Sequence, residues 1–197
     1  MIHCIFLAAG SARRFGSNKL LYDFRGKPLF LYGLEVLSEA ACAHGNCSLT
    51  VVSRYDEILS CAERFSAYGV FGTDSAGGLS YSVRAGIRSL SERGSLSAGD
   101  CLLFLAADQP FLKKETLLRL MDTADASALC ACVTDGDCWG NPALFSASLV
   151  PELLALTGDR GGGKVLRAHD AECVRVPCAF HGELADIDTP EALRVIP

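Results

Sequence analysis

Residues 2–19 read Ile-His-Cys-Ile-Phe-Leu-Ala-Ala-Gly-Ser-Ala-Arg-Arg-Phe-Gly-Ser-Asn-Lys. A short apolar run of strand type empties directly into a loop with glycines at 10 and 16 and cations at 13, 14 and 19. Small residues let backbone N–H groups close on a phosphate, and fixed charges hold its oxygens. A polyphosphate is therefore the ligand this stretch implies. It is not a Walker loop, which needs Gly-Lys-Ser/Thr, and not the Gly-x-Gly-x-x-Gly dinucleotide turn. The same residues would also suit an ordinary strand-to-helix turn with surface cations, so the inference leans on a second cluster about a hundred residues further on.

Outward from this segment, strand and helix patterns alternate. Pro28 opens Leu29–Ala43, where Leu29, Tyr32, Val36 and Ala40 recur at helical spacing. Ser48–Ser53 reads as a strand, Asp56–Phe65 as a helix and Gly69–Phe71 as a brief strand. Ser80–Leu90 carries Val83, Ile87 and Leu90 in helical register, and Cys101–Ala107 is the cleanest buried strand of the chain. Lys113–Asp122 returns as a helix and Ala128–Val133 as a strand. This order requires crossover connections and a mostly parallel sheet. The final third is less regular. Gly140-Asn141-Pro142 breaks the pattern before Ala143–Phe145, Gly158–Gly163 forms a loop opening a short helix through Arg167, and Cys173–Val176 and Leu184–Ile187 read as short strands. With no repeat, low-complexity tract or linker, the reading is one α/β domain.

Half of the 197 residues are hydrophobic, enough for one sizeable core. A net charge of −5 argues against a nucleic-acid binder, yet says little about a nucleotide, which needs only local cations. No basic n-region with a cleavage site is visible and no apolar stretch reaches membrane-span length, so a soluble, cytoplasmic protein is expected. The ten cysteines include no Cys-x-x-Cys. Cys130, Cys132 and Cys138 are the nearest approach to a metal group, but lack a fourth ligand at the usual spacing. Reduced, structural thiols are expected. His3 reads as a strand-edge residue and His169 as a solvated helix residue, so neither is offered as a base.

In open parallel sheets, ligands bind beyond the carboxyl ends of the strands. The first strand delivers Leu7, Ala8, Ala9 and Gly10 to that edge, and Cys101–Ala107 delivers Asp108-Gln109-Pro110. Pro110 disfavours the helical conformation at Gln109, so the chain turns there. A carboxylate beside a phosphate loop would repel the ligand unless a divalent cation lies between them, and Mg²⁺ takes carboxylates with phosphate oxygens. Asp186 and Asp188 flank Ile187 near the end of the chain and offer the second carboxylate. Asp188 or Thr189 could equally cap a helix begun by Pro190.

The segment 7–19, Asp-Gln-Pro at 108–110, Gly-Asn-Pro at 140–142, Gly-Asp-Arg-Gly at 158–161 and Asp-Ile-Asp-Thr-Pro at 186–190 together resemble the MobA-like nucleotidyltransferases, in order and over the whole chain. The resemblance is greatest to the MocA branch, the molybdenum cofactor cytidylyltransferases. Ala12 and Phe15 depart from that branch's Ser and Met. The resemblance implies a Rossmann-like three-layer sandwich of the nucleotide-diphospho-sugar transferase type. It implies a nucleotide part over roughly residues 1–110 and an acceptor part over roughly 111–197. Leu7, Ala8, Ala9 and Gly10 would lie along the nucleotide, Arg14 and Lys19 on its phosphates, and Gly78, Ser80 and Ser82 at a pyrimidine edge. Asp108 would be the principal metal ligand and Asp188 its partner, holding Mg²⁺ or Mn²⁺. Asn141, Gly158, Asp159, Arg160 and Gly161 would serve the acceptor, although 158–163 also reads as a glycine-rich connection.

The implied reaction is attack by a terminal phosphate of the acceptor on the α-phosphorus of CTP, with Arg14, Lys19 and Asp108 as the catalytic groups. By resemblance the acceptor is Mo-molybdopterin, the product is molybdopterin cytosine dinucleotide, and a molybdenum hydroxylase is a possible docking partner. Ala9, where the guanylyltransferase branch has glycine, narrows the base pocket and favours CTP over GTP. Other phosphorylated acceptors, or a silent member acting as cofactor carrier, are the alternatives.

Overall fold

The computed structural model describes residues 1–10, 18–72 and 78–187. Arg14 and Asp188 lie outside these residues. Strand β1 (Ile2–Ala8) is buried at all seven positions because it is central and covered on both faces. It pairs in parallel with β4 (Cys47–Ser53) on one side and β6 (Cys101–Ala106) on the other. Beyond β4 lies β5 (Tyr68–Phe71), also parallel. Beyond β6 come β8 (Cys138–Ser146), antiparallel to both its neighbours, then β7 (Cys130–Asp135) and β9 (Cys173–Pro177). The order of the seven-stranded sheet is β5-β4-β1-β6-β8-β7-β9, and a two-stranded ribbon pairs β2 (Asp23–Phe24) with β3 (Lys27–Pro28).

The two-residue period of β1 sorts its side chains into two cores. Cys4, Phe6 and Ala8 meet Phe30, Leu34 and Leu37 of α1 (Leu29–His44), Ile58 of α2 (Asp56–Ala62), and Leu117, Leu120 and Met121 of α4 (Lys114–Asp125). Ile5 and Leu7 face the other way, onto Val83, Ile87 and Leu90 of α3 (Leu79–Glu92), Leu153 of α5 (Val150–Leu154), and Val165 and Leu166 of α6 (Gly163–Ala168). This is the three-layer α/β architecture expected. No helix among the described residues is long and apolar enough to cross a membrane.

Four local expectations are corrected. The buried residues of α1 are Leu29, Phe30, Gly33, Leu34, Leu37 and Ala40, while Tyr32 and Val36 sit at their flank. Gly33 faces the sheet because a Cβ there would stand 3.1 Å from the Phe6 ring. Gly140-Asn141-Pro142 does not break the strand but lies within β8. The pairing passes from Cys132↔Ala143 to Val133↔Gly140, so Asn141 and Pro142 stand out of the ladder as a bulge, where a proline's missing N–H is tolerated. Leu184–Ile187 is not a strand. Its backbone is held by single bonds to other segments rather than by a ladder. His3, expected at a strand edge, is fully buried in the central strand between Ser48 Oγ (2.8 Å) and Asp100 Oδ2 (3.1 Å).

Candidate active site

The carboxyl ends of β1, β4 and β6 form one rim. Ser53 Oγ donates to the Ala8 carbonyl at 2.9 Å, the Tyr55 hydroxyl to the Gly10 carbonyl at 3.3 Å, and Ala107 N–H to the Leu7 carbonyl at 3.1 Å. The start of the cationic loop is thereby fixed to its neighbours. Of the expected nucleotide contacts, Gly10 is exposed, whereas Leu7, Ala8 and Ala9 are buried beneath it.

Lys19 opens a 3-10 turn, Lys19–Leu21, capped by Asn18, whose Oδ1 accepts from Leu20 N–H at 3.1 Å. The buried Leu20 anchors this turn to the core, and Lys19 Nζ then reaches Asp108 Oδ2 at 2.8 Å. Eighty-nine residues apart in the chain, the two groups are brought together as the sequence implied. Asp108 keeps about a quarter of its side-chain surface, and its Oδ1 has no hydrogen-bond donor among the described residues. A part-exposed carboxylate with an open oxygen is a hard donor suited to Mg²⁺ or Mn²⁺. The Ile187 N–H donates to the Asp108 carbonyl at 3.0 Å, so the backbone reaches Asp108 one residue before position 188.

What holds Asp108 was not foreseen from sequence. Gln109 is buried and its amide interlocks with Asn141. Asn141 Nδ2 donates to Gln109 Oε1 at 2.6 Å, and Gln109 Nε2 donates to the carbonyls of Asn141 (3.4 Å) and Leu184 (3.2 Å). Asn141 Oδ1 also accepts from Ala106 N–H at 3.2 Å, supplying the bond that the β8 bulge withdraws. Asn141, expected at the acceptor, is thus engaged in positioning the Asp108 turn. Glu183 is fully buried and accepts from Lys113 N–H (2.8 Å) and Ala179 N–H (2.5 Å), tying the 178–187 segment to the start of α4.

The structure joins two segments that the sequence assigned to different ligands. Ser80 N–H donates to the Gly158 carbonyl at 3.1 Å. Gly78 caps α3 at φ +112°, and a Cβ there would fall 2.5 Å from Gly158 C, Gly158 O and Asp159 Oδ1. Ser80 and Ser82 are buried in the first turn of α3, and Ser80 Oγ has no hydrogen-bond partner among the described residues. His169, Glu152 (2.9 Å), His181 and Asp135 (2.8 Å) form two further pairs away from this rim. Asp135 lies below the usual carboxylate range because Gly182 N–H and His181 donate to it.

Three potential metal ligands also gather elsewhere: His44, Asp122 and Asp125. They sit at the ends of α1 and α4, where β4 begins, so the length of the sheet separates them from Asp108. Beside them the Cys47 thiol is drawn down to about 7, first by a hydrogen bond from Cys4 and, against the penalty of burial, by His44. This group does not belong to the rim.

Comparison with known proteins places the rim in context. The model of the MobA-like NTP transferase domain matches residues 4–173. The purine catabolism protein PucB of Bacillus subtilis is 28% identical over 195 residues, covering 95% of this chain and 91% of its own. A probable molybdenum cofactor guanylyltransferase of Thermococcus kodakarensis is 32% identical over 202 residues, covering 95% of this chain and 90% of its own. Among solved structures, Rv0371c from Mycobacterium tuberculosis superposes with a TM-score of 0.77 at 21% identity, over 98% of this chain and 95% of that one. A manganese complex of Rv0371c gives 0.74 at 22% identity, over 98% and 96%. The family match runs through both Lys19 and Asp108 and spans most of the sequence: the chain belongs to the MobA-like NTP transferase family.

Proposed function

We propose that this chain transfers CMP from CTP to the terminal phosphate of a molybdopterin-type acceptor and releases pyrophosphate. The observation that carries the reading is the Lys19–Asp108 pair at the rim where β1 and β6 end. A cation for phosphate oxygens and a carboxylate for a divalent cation are what nucleotidyl transfer asks of a protein. The acceptor phosphate forms a bond to the α-phosphorus while the bond to the β-phosphate breaks, and the electron pair leaves with pyrophosphate. No protein base is required, because a phosphomonoester is largely ionised at neutral pH.

Asp108 would hold Mg²⁺ or Mn²⁺, with Asp188 as second ligand. When bound, the ion supplies charge neutralisation across the reacting phosphates. Manganese in the Rv0371c complex agrees with a hard-oxygen site of this kind. Lys19, and Arg14 in the segment outside the described residues, would take the charge of the departing pyrophosphate. Interlocked Gln109 and Asn141 keep Asp108 in place, which is how positioning enters the barrier.

Molybdopterin as acceptor follows the relatives' molybdenum cofactor names. CTP as donor rests on Ala9, where the guanylyltransferase branch has glycine: a methyl at this position would narrow a base pocket against a purine. One methyl discriminates by about 1–3 kcal/mol. The guanylyltransferase names among the relatives favour GTP as the second reading. Pyrophosphate release with each of the four NTPs, Mg²⁺ and molybdopterin decides between them. CTP should exceed GTP by tenfold or more, with the dinucleotide identified by mass. Faster release with GTP would replace the cytidylyl reading, and release with none would end the transferase reading.

A further inference from the structure

At the foot of the sheet two helices end together. His44 is the last residue of α1 and Asp125 the last of α4, with Asp122 one turn earlier on the same helix. One ligand atom from each of the three lies within 4.8 Å of the others. Gly45, at φ +88°, closes α1 and turns the chain, so that Cys47 at the start of β4 comes back to the same imidazole. The Cys47 sulfur stands 3.7 Å from His44 Nδ1, while Nε2, across the ring, lies 3.8 Å from Asp125 Oδ2.

The fold gathers negative charge here without balancing it. A helix C-terminus carries partial negative charge that a cation relieves and a carboxylate aggravates. The last turn of α4 holds two aspartates and no basic residue, and the last turn of α1 has only His44. Arg119, one turn before Asp122, donates to Thr116 Oγ1 at 3.3 Å, and the Met1 ammonium is taken up by Asp100. Among the described residues Asp122 has no ion pair, and Asp125 has only the one to His44. At 3.8 Å that contact is too long for a hydrogen bond. It is close to the roughly 3.4 Å that separates a nitrogen and an oxygen bound to one tetrahedral zinc ion at about 2.1 Å each.

We propose that His44 Nε2, Asp122 and Asp125 form a divalent cation site of the zinc class, which clamps the end of α1 to the end of α4, with water completing the coordination. An imidazole beside carboxylates suits Zn²⁺, whereas Mg²⁺ takes oxygen ligands and Mn²⁺ stands at the weak end of the first-row series. Cys47 is the positioning residue: with Nδ1–H donating to its sulfur, the lone pair of Nε2 is turned toward the carboxylates. The two helices already share one core through Leu37, Ala40, Leu120 and Met121, so the ion fastens ends whose packing is built. The site lies a sheet's length from Asp108 and does not depend on the transferase reading.

The reduced protein is dialysed to equilibrium against Zn²⁺, with Mg²⁺ in large excess to fill hard-oxygen sites. Amide hydrogen exchange at the ends of α1 and α4 is followed with and without Zn²⁺. The wild type is compared with His44→Asn and with Asp122→Asn/Asp125→Asn, whose two positions are exposed and keep the test open should the histidine variant fail to fold. The wild type should hold one Zn²⁺ per chain that Mg²⁺ does not displace and that the variants bind at least tenfold more weakly. Zn²⁺ should slow exchange at both helix ends in the wild type and in neither variant. Zinc held equally by all three chains would mean that thiols take the ion, and would overturn the site. Displacement by Mg²⁺, or zinc binding that leaves exchange at these helix ends unchanged, would overturn it too.

Discussion

At the scale of single residues, the contact that matters is Lys19 Nζ on Asp108 Oδ2 at 2.8 Å. With Lys19 on Oδ2 and a divalent cation on the open Oδ1, two positive charges would share one carboxylate, so on the transferase reading Lys19 would oppose metal in the absence of nucleotide and turn to phosphate in its presence. Lys19→Met should therefore tighten Mn²⁺ binding, read from the paramagnetic signal of free Mn²⁺, while transfer falls by a hundredfold or more. Unchanged Mn²⁺ affinity would remove the competition. Asp108→Asn should abolish both metal binding and transfer, a barrier increase of about 3 kcal/mol or more, with the fold intact. Such opposite effects of neighbouring substitutions on one ligand cannot arise from general destabilisation. That Asp108 and the cationic segment share one edge is legible in the sequence, because strand ends in a parallel sheet converge and one is followed by the cations at 13, 14 and 19, the other by Asp108. Asn141 and Gln109 are not. Their polar atoms are satisfied by each other across 32 residues, and no local pattern signals a side chain filling a gap in a ladder.

Among elements, the patterns that depend on burial alone survived and those that depend on partners did not. Continuous apolar runs marked β1 and β6 because both faces of a central strand are covered. The stripe of α1 was misplaced by a fraction of a turn, since Tyr32 and Val36 are apolar but flank the contact that Gly33 makes. Leu184–Ile187 reads as a strand and is a segment pinned by Gln109 and Asp108, from a distant part of the chain, next to Glu183, which accepts from Lys113 N–H. The joining of α3 to the 158–163 loop was likewise invisible, although it makes one unit of two motifs. It yields a direct test. At Gly78 the backbone lies at φ +112° and a Cβ would meet backbone atoms 2.5 Å away, which cannot yield as a flexible side chain can. Gly78→Ala should lower stability by about 1–3 kcal/mol, measured by urea unfolding, and reduce transfer with it. A variant as stable as the wild type would show that the junction is not rigid. Gly10→Ala is the control: among the described residues a Cβ there meets nothing within 4 Å, and stability should hold.

Across the whole molecule, the sheet separates chemistry from anchorage. Its carboxyl end carries Asp108; at its foot, where β1, β4 and β6 begin, Ser48, His3 and Asp100 stand in line. The order resembles a hydrolytic triad, but His3 has no exposed surface and no substrate could reach it. The arrangement ties three strands together. Burial raises the Asp100 carboxyl, yet donors from Ser97 N–H (2.7 Å), the Met1 ammonium (3.0 Å) and His3 outweigh that and leave it below its ordinary 3.8. A carboxylate lowered by folding stabilises the native state above its unfolded pKa, and the contribution is lost as pH falls through the lower folded value. Asp100→Asn should therefore be less stable than the wild type by about 1–3 kcal/mol near neutrality, and the gap should close as pH drops from about 5 to about 2. Urea midpoints of the two proteins over that range test it; a gap independent of pH would mean that packing, not the ionised carboxylate, holds the foot of the sheet. Transfer by the surviving folded fraction should be unchanged in Asp100→Asn, because the length of β1 and β6 stands between this anchor and Asp108.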